Sequence, residues 1–131
     1  MQDVSRLLQP RSALIADDQD AFRRAAHLLL VEAGFDVVGE AATGEDAVRI
    51  AAELSPSLVM LDILMPGLDG IAAARQIRMR DSGAVIVLIT ARDVEDLPSR
   101  ATDVEVHAII SKSDLTPRLV RELWDDAKQV R

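Results

Sequence analysis

The feature that most limits how this chain can fold is the alternation of short apolar runs with segments in which apolar residues recur every three to four positions. Such runs are typical of strands buried in a sheet, whereas the three-to-four spacing is typical of helices with one buried face. The runs that we predict as strands cover residues 13–16, 37–42, 58–61, 84–89 and 106–111. Each is separated from the next by a predicted helix, and parallel strands need such long crossover connections. We therefore predict an α/β fold with a single doubly wound, five-stranded parallel sheet and helices on both faces.

Most of the helices have clear signals. The well-marked ones cover residues from about 19 to 33, 45 to 54, 69 to 79 and 117 to 128. Thr116 offers an N-cap and Pro117 a first-turn proline for the last of them. The segment 93–105 has poor apolar spacing and is interrupted by Pro98, so we expect only a short or irregular fourth helix there. We expect residues 1–12 to form an N-terminal tail and the rest, 13–131, to form one domain.

Composition narrows the classes of function. With 22 acidic and 15 basic side chains the formal charge is −7, which disfavours direct binding of nucleic acid by this domain. The absence of cysteine excludes disulfides, thiolate metal sites and cysteine nucleophiles. No apolar run approaches the ~18 residues that span a bilayer, and residues 1–12 lack the apolar core of a signal peptide. We expect a cytoplasmic protein without a membrane partner.

Polar residues follow four of the predicted strands at the point where each strand ends. They are Asp17 and Asp18 after the first strand, Asp62 after the third, Thr90 after the fourth and Lys112 after the fifth. The carboxyl ends of parallel strands meet at one edge of a sheet, where ligands bind in open α/β folds. We therefore expect these residues to face one crevice.

Three carboxylates in one crevice repel one another unless a cation lies among them. Mg²⁺ prefers oxygen ligands and commonly binds through one or two carboxylates together with a substrate phosphate. The set therefore favours a magnesium site that handles a phosphoryl group. The ammonium of Lys112 can pair with one phosphoryl oxygen, and the hydroxyl of Thr90 can donate a hydrogen bond to another.

Each of these residues also has an ordinary structural interpretation. The pair Asp17 and Asp18 can simply cap the helix that follows it. Asp62 and Thr90 can be solvated strand ends, and Lys112 can be a surface lysine. What favours a site is their joint occurrence at the ends of four strands, because five independent structural reasons would otherwise have to coincide.

These residues resemble the receiver domains of bacterial two-component response regulators, and the resemblance covers nearly the whole chain. The acidic pair of that family resembles Asp17 and Asp18, and its phosphoacceptor resembles Asp62 within the string LVMLDILMPGLDGI. Its hydroxyl residue resembles Thr90 in VLITAR, and its lysine resembles Lys112 in IISK. The resemblance implies a flavodoxin-like fold of the receiver type.

The resemblance also implies a phosphorelay mechanism. Mg²⁺ would be held by Asp17, Asp18, Asp62 and the backbone carbonyl of Leu64. Asp62 would attack the phosphorus of a phosphohistidine carried by a sensor histidine kinase or a phosphotransfer protein, and an acyl phosphate would form. The chain would assist this transfer and its own dephosphorylation, but it would not be an enzyme in the usual sense.

Signal output is likewise implied by the family. Thr90 and Lys112 would move to the new phosphoryl oxygens, so that phosphorylation alters a protein-interaction surface. The signal would pass to a downstream protein, to an output domain outside this sequence, or into a phosphorylation-dependent homodimer. Transcription regulation follows by analogy alone, because some receivers are joined to DNA-binding domains.

One switch position departs from the family pattern. Three residues before Lys112 the family often has Tyr or Phe, whereas this chain has Ile109. A receiver-like module that binds proteins without being phosphorylated is therefore an alternative.

Two enzyme classes fit the sequence less well. The string GEAATGED lacks the Lys and the Ser or Thr of a nucleotide hydrolase, and Leu64 stands where a phosphatase would have its second aspartate.

Overall fold

The computed structural model describes residues 11–91, 97, 101 and 103–129 of the chain. Within these residues strands and helices alternate as the periodicity predicts up to residue 90, and most of the next connection, 92–102, lies outside them. The elements in chain order are β1 (Ser12–Ala16), α1 (Asp20–Glu32), β2 (Asp36–Ala41), α2 (Gly44–Leu54), β3 (Leu58–Asp62), α3 (Gly70–Arg80), β4 (Val85–Thr90), β5 (Ala108–Ser111), a 3₁₀ turn (Lys112–Asp114) and α4 (Pro117–Gln129).

The five strands form one sheet in the order β2-β1-β3-β4-β5, and all of the neighbouring pairs are parallel. The order reverses at β1, because the chain first winds outwards to β2 and then returns to place β3 on the other side. Loops that leave the carboxyl ends of β1 and β3 diverge there, which opens a crevice between them. The predicted doubly wound parallel sheet is confirmed.

Helices cover both faces of the sheet, and a separate apolar core lies on each face. Ile71 and Ala73 of α3, together with Ala47 of α2, belong to one core. Leu30 of α1 and Trp124 of α4 belong to the other. All residues of β3 and β4 are buried, as expected for central strands covered on two sides.

Two helices of the first face begin at well-defined caps. The Thr43 hydroxyl oxygen accepts a hydrogen bond from the Asp46 amide at the start of α2, and the Asp69 carboxylate accepts one from the Ala72 amide at the start of α3. Gly70 then allows α3 to begin directly against the end of β3. A Cβ atom at this position would lie 2.1 Å from the carbonyl oxygen of Asp62. The position of α3 is therefore tied to the strand that carries this aspartate.

The observed limits of the elements differ from the predicted ones by one or two residues. The largest difference is in β5, which begins at Ala108 rather than at residue 106. The amide of His107 nevertheless still donates a hydrogen bond to the carbonyl of Ile86 in β4. The strand was predicted too long because apolar residues approach the sheet before regular pairing begins.

Two predictions concern segments that lie largely or wholly outside the described residues. The short or irregular fourth helix falls on 93–105, of which only residues 97, 101 and 103–105 are described. The N-terminal tail falls on 1–12, of which residues 1–10 lie outside. Both stay predictions. None of the described helices has both the length and the hydropathy of a transmembrane helix.

Candidate functional site

Three aspartates meet at the carboxyl edge of the sheet. Asp17 directly follows β1 and Asp62 ends β3, and these two strands are neighbours. Asp17, Asp18 and Asp62 each place one carboxylate oxygen within 4.8 Å of the others. Asp17 is fully buried and Asp62 is 6% exposed, whereas Asp18 lies open to solvent. The cluster therefore has a buried part, Asp17 and Asp62, which we call the acidic floor, and an accessible part, Asp18, which we call the acidic rim.

Lys112 reaches this cluster from the end of the edge strand β5. It is the first residue after β5, and its ammonium nitrogen lies 2.7 Å from Asp17 Oδ2 and 3.4 Å from Asp62 Oδ2. The fold thus brings four of the predicted site residues together. The Lys112 ammonium thus bridges the two buried carboxylates, those of Asp17 and Asp62.

Thr90 lies beside the cluster at the end of β4. It is 2% exposed and pairs with Ser111 of β5, one position beyond Ile89, which pairs with Asp62. Its place in the register puts the residue between the strand of the acidic floor and the strand that leads to Lys112. Its part in phosphoryl chemistry stays a prediction.

The remaining predicted positions occupy the surroundings of the site. The amide of Leu64 donates a 3.3 Å hydrogen bond to Asp62 Oδ1, while the Leu64 side chain is exposed. Ile109 lies within β5, opposite Leu88, and packs against the core on the α2 and α3 face. Neither the ligand role of the Leu64 carbonyl nor the switch role of Ile109 is tested by these contacts.

Burial changes the protonation behaviour of Asp62. Desolvation, followed by repulsion from Asp17, raises the pKa of Asp62 from 3.8 to about 6, although Lys112 and the Leu64 amide act in the opposite direction. Burial by itself would lower the pKa of Lys112, but hydrogen bonding and attraction by Asp17 and Asp62 raise it overall. The site therefore holds more negative charge than its one lysine compensates.

This donor set fits a hard divalent cation. All three ligand groups supply carboxylate oxygens, the atoms that Mg²⁺ prefers. Asp17 Oδ2 is buried, and the Lys112 ammonium 2.7 Å away from it is shared with Asp62 Oδ2. A buried oxygen of this kind, together with the raised pKa of Asp62, indicates a site that is completed by an additional positive charge.

The capping interpretation of the acidic pair does not agree with the geometry. The N-cap of α1 is Gln19, and its side chain makes no capping hydrogen bond. Asp17 Oδ1 instead accepts a hydrogen bond from the Gln19 amide at 2.8 Å, which closes a local turn. This turn leaves Asp17 Oδ2 directed into the cluster.

Two residues of α1 contribute contacts that sequence reasoning missed. The ring of Phe22 lies 4.2 Å from the Lys112 nitrogen, a cation–π contact. Arg23 donates a 2.7 Å hydrogen bond to the backbone carbonyl of Asp17. The available signal was their place in the first turn of a helix that starts directly after an acidic pair.

Comparison with known proteins identifies the family. The family model described as "Response regulator receiver domain" matches residues 13–123. The transcriptional regulatory protein PdtaR of Mycobacterium tuberculosis is 40% identical over 114 residues, which are 84% of this chain and 55% of PdtaR. The chemotaxis protein CheY of Halobacterium salinarum is 32% identical over 115 residues, which are 88% of this chain and 95% of that protein. The chain thus spans about half the length of the first regulator and nearly all of the second.

Comparison with solved structures indicates the same family. The receiver domain of the putative response regulator NarL from Mycobacterium tuberculosis has a TM-score of 0.80 at 27% identity, covering 92% of this chain and 98% of that one. A CheX–CheY–BeF₃–Mg²⁺ complex from Borrelia burgdorferi also has a TM-score of 0.80 at 27% identity, covering 93% and 91%. On the family match, the sequence relatives and the shared fold, this chain belongs to the response regulator receiver domain family.

Proposed function

We propose that Asp62 is the phosphoacceptor of this receiver and that the acidic cluster around it is its magnesium site. The observation that carries the proposal is the convergence of three carboxylates and one lysine at the carboxyl edge of β1, β3 and β5. Within this cluster Asp62 is the carboxylate that ends the central strand. The Leu64 amide donates to Asp62 Oδ1, and we assign the nucleophilic role to Oδ2, which lies 3.4 Å from the Lys112 ammonium.

The chemical step is a transfer of a phosphoryl group from a phosphohistidine. An Asp62 oxygen forms a bond to phosphorus while the phosphorus–nitrogen bond of the donor breaks, and the imidazole nitrogen leaves with its electron pair. The product on this chain is an aspartyl phosphate. Lys112 lies where it can pair with a phosphoryl oxygen, and Thr90 ends the adjacent strand with a hydroxyl that can donate to another.

Asp17, Asp18 and Asp62 would hold the cation, together with the backbone carbonyl of Leu64. When bound, Mg²⁺ supplies neutralisation of the negative charge that the phosphoryl group brings. The chain's own contribution is to hold the nucleophile rigidly: Gly70 packs α3 against the Asp62 carbonyl, and the Leu64 amide fixes one carboxylate oxygen. The same residues would support hydrolysis of the aspartyl phosphate.

The donor is proposed to be a sensor histidine kinase or a phosphotransfer protein that docks beside α1. This helix starts three residues after Asp17, so its outer face leads directly to the acidic rim. Leu28 and Val31 are 71% and 53% exposed and stand three positions apart on this helix, so that they share one face. An apolar partner surface would cover them while its phosphohistidine approaches Asp62.

Phosphorylation with a small-molecule phosphodonor and Mg²⁺ tests the proposal. Intact-mass measurement should show the gain of one phosphoryl group, and chelation of the metal should prevent it. Asp62→Asn should abolish the gain, whereas Asp114→Asn, which removes an exposed carboxylate outside the cluster, should leave it unchanged. Persistence of the gain in Asp62→Asn would refute the assignment. No gain in the wild-type chain would favour the non-phosphorylated interaction module.

For signal output we propose only the general forms that membership of the family implies. Because the chain spans about half of PdtaR, its signal would reach either a downstream protein or an output domain, including one that regulates transcription. A phosphorylation-dependent homodimer is a further form of output. We also propose that residues 13–131 are the receiver unit, that residues 1–12 are a tail, and that the protein acts in the cytoplasm.

A further inference from the structure

Arg23 connects the backbone of the acidic pair to the neighbouring strand. Its Nη1 donates to the carbonyl oxygen of Asp17 at 2.7 Å, its Nη2 pairs with Asp20 at 2.5 Å, and its Nε pairs with Glu40 of β2 at 3.3 Å. The Arg23 side chain is only 18% exposed, although Asp20 and Glu40 are more open. Glu40 is held in turn by His27 Nδ1 at 2.8 Å.

The contact with the Asp17 carbonyl lies at a sensitive place. This carbonyl belongs to the planar peptide that joins Asp17 to Asp18, so holding it restricts one backbone dihedral of each aspartate. The amide on the other side of Asp17 is already fixed by a 3.0 Å hydrogen bond to the Ala41 carbonyl of β2. Arg23 therefore holds the peptide plane that joins the two aspartates, whereas the sheet holds the peptide plane before it.

We propose that Arg23 is a positioning residue for the metal site, which aims the carboxylates of Asp17 and Asp18 without touching the cation. This inference rests on the proposed magnesium site. The planar guanidinium suits the task, because its donors form a rigid fork that satisfies the Asp17 carbonyl, Asp20 and Glu40 at once. A lysine could supply the charge but not this three-way attachment.

The sign of the effect separates positioning from simple electrostatics. Arg23 carries a positive charge close to the acidic pair. By Coulomb's law, removal of this charge alone should strengthen the binding of a divalent cation to the acidic pair. Loss of positioning should instead weaken binding. Groups that orient metal ligands typically contribute about 10-fold to 100-fold in metal affinity, so a weaker site is the expected net result.

The test is a titration of the full chain with Mn²⁺, with free Mn²⁺ counted by electron paramagnetic resonance and Mg²⁺ affinity obtained by competition. Arg23→Gln should raise the dissociation constant about 10-fold. Arg23→Lys, which keeps the repulsive charge but not the three-way attachment, should raise the dissociation constant by at least as large a factor. Arg24→Gln is the matched control, since it removes the same charge from the next, exposed position of α1 and should leave affinity within about twofold.

A second readout distinguishes aiming from damage to the fold. The phosphorylation rate of Arg23→Gln should return towards the wild-type rate when Mg²⁺ is raised to saturation, because the reacting residues are intact. Unchanged or tighter metal binding in Arg23→Gln overturns the inference. If that variant does not fold, Arg23→Lys decides, and wild-type affinity in it is equally contrary. A wild-type chain that binds no Mn²⁺ would instead overturn the proposed magnesium site.

Discussion

Replacing Asp62 by asparagine should stabilise the metal-free protein, although it should abolish phosphorylation. The folded state binds a proton on Asp62 more tightly than the unfolded chain does, because burial raises the pKa from 3.8 to about 6. As pH rises through this interval, the unfolded state ionises first, so the free energy of unfolding falls. This loss of folding free energy is complete somewhat above pH 6 and is absent below about pH 4.

The size of the effect follows from the shift. About two pKa units correspond to about 3 kcal/mol of destabilisation at pH 7, and to about 1 kcal/mol at pH 4.5. Asparagine avoids this cost and can still accept the hydrogen bond of the Leu64 amide. Lys112 keeps its 2.7 Å partner Asp17 in the variant, so the lost ion pair should offset only a small part of the gain.

Urea unfolding in the presence of a chelator measures the difference. The single tryptophan, Trp124, is 8% exposed and packs edge-on against Phe35, so its fluorescence should report unfolding. Asp62→Asn should be more stable than wild type by up to about 3 kcal/mol at pH 7, and the gap should narrow at pH 4.5 and on addition of Mg²⁺. Equal stability at pH 7, or a gap independent of pH, would refute the electrostatic account; Asp114→Asn serves as the control.

Three further predictions concern the surroundings of the site. Lys112→Ala should raise the pKa of Asp62 above 6, because the ammonium now lowers it; the carboxyl carbon signal in an NMR pH titration should shift its midpoint upwards, and an unmoved midpoint would be contrary. Gly70→Ala should destabilise the fold by about 2 kcal/mol or more, since its Cβ would overlap the Asp62 carbonyl, and thermal unfolding should show the loss. Leu28→Glu should slow phosphotransfer from a phosphohistidine protein but not from a small phosphodonor, whereas equal slowing with both donors would contradict docking at α1.

Local signals were sufficient for the fold and for the part of the site that lies at strand ends. The runs that became β3 and β4 are apolar throughout because both faces are covered, so their ends at Asp62 and Thr90 could be read directly. Parallel pairing then brings these ends to one edge, and Lys112 follows β5 there. The exposed fraction of Asp18 and the ion-pair distances needed the three-dimensional structure.

What escaped prediction depends on contacts between distant parts of the chain. Arg23 acquires its role only because β2 places Glu40 beside α1, and the two residues are 17 positions apart. Phe22 carries the apolar spacing of a core residue, and nothing in that spacing indicates that its ring meets an ammonium 90 residues away. Periodicity identifies the inward face of a helix, but not which neighbour it meets.

The lysine that bridges the two buried carboxylates gives the receiver a built-in counterion. Because this charge is tethered by the chain, its local concentration does not depend on the composition of the solution. The acidic edge can therefore stay assembled when magnesium is scarce. If Asp62 is phosphorylated as proposed, the same ammonium, already 3.4 Å from Asp62 Oδ2, can pair with a new phosphoryl oxygen without a large movement.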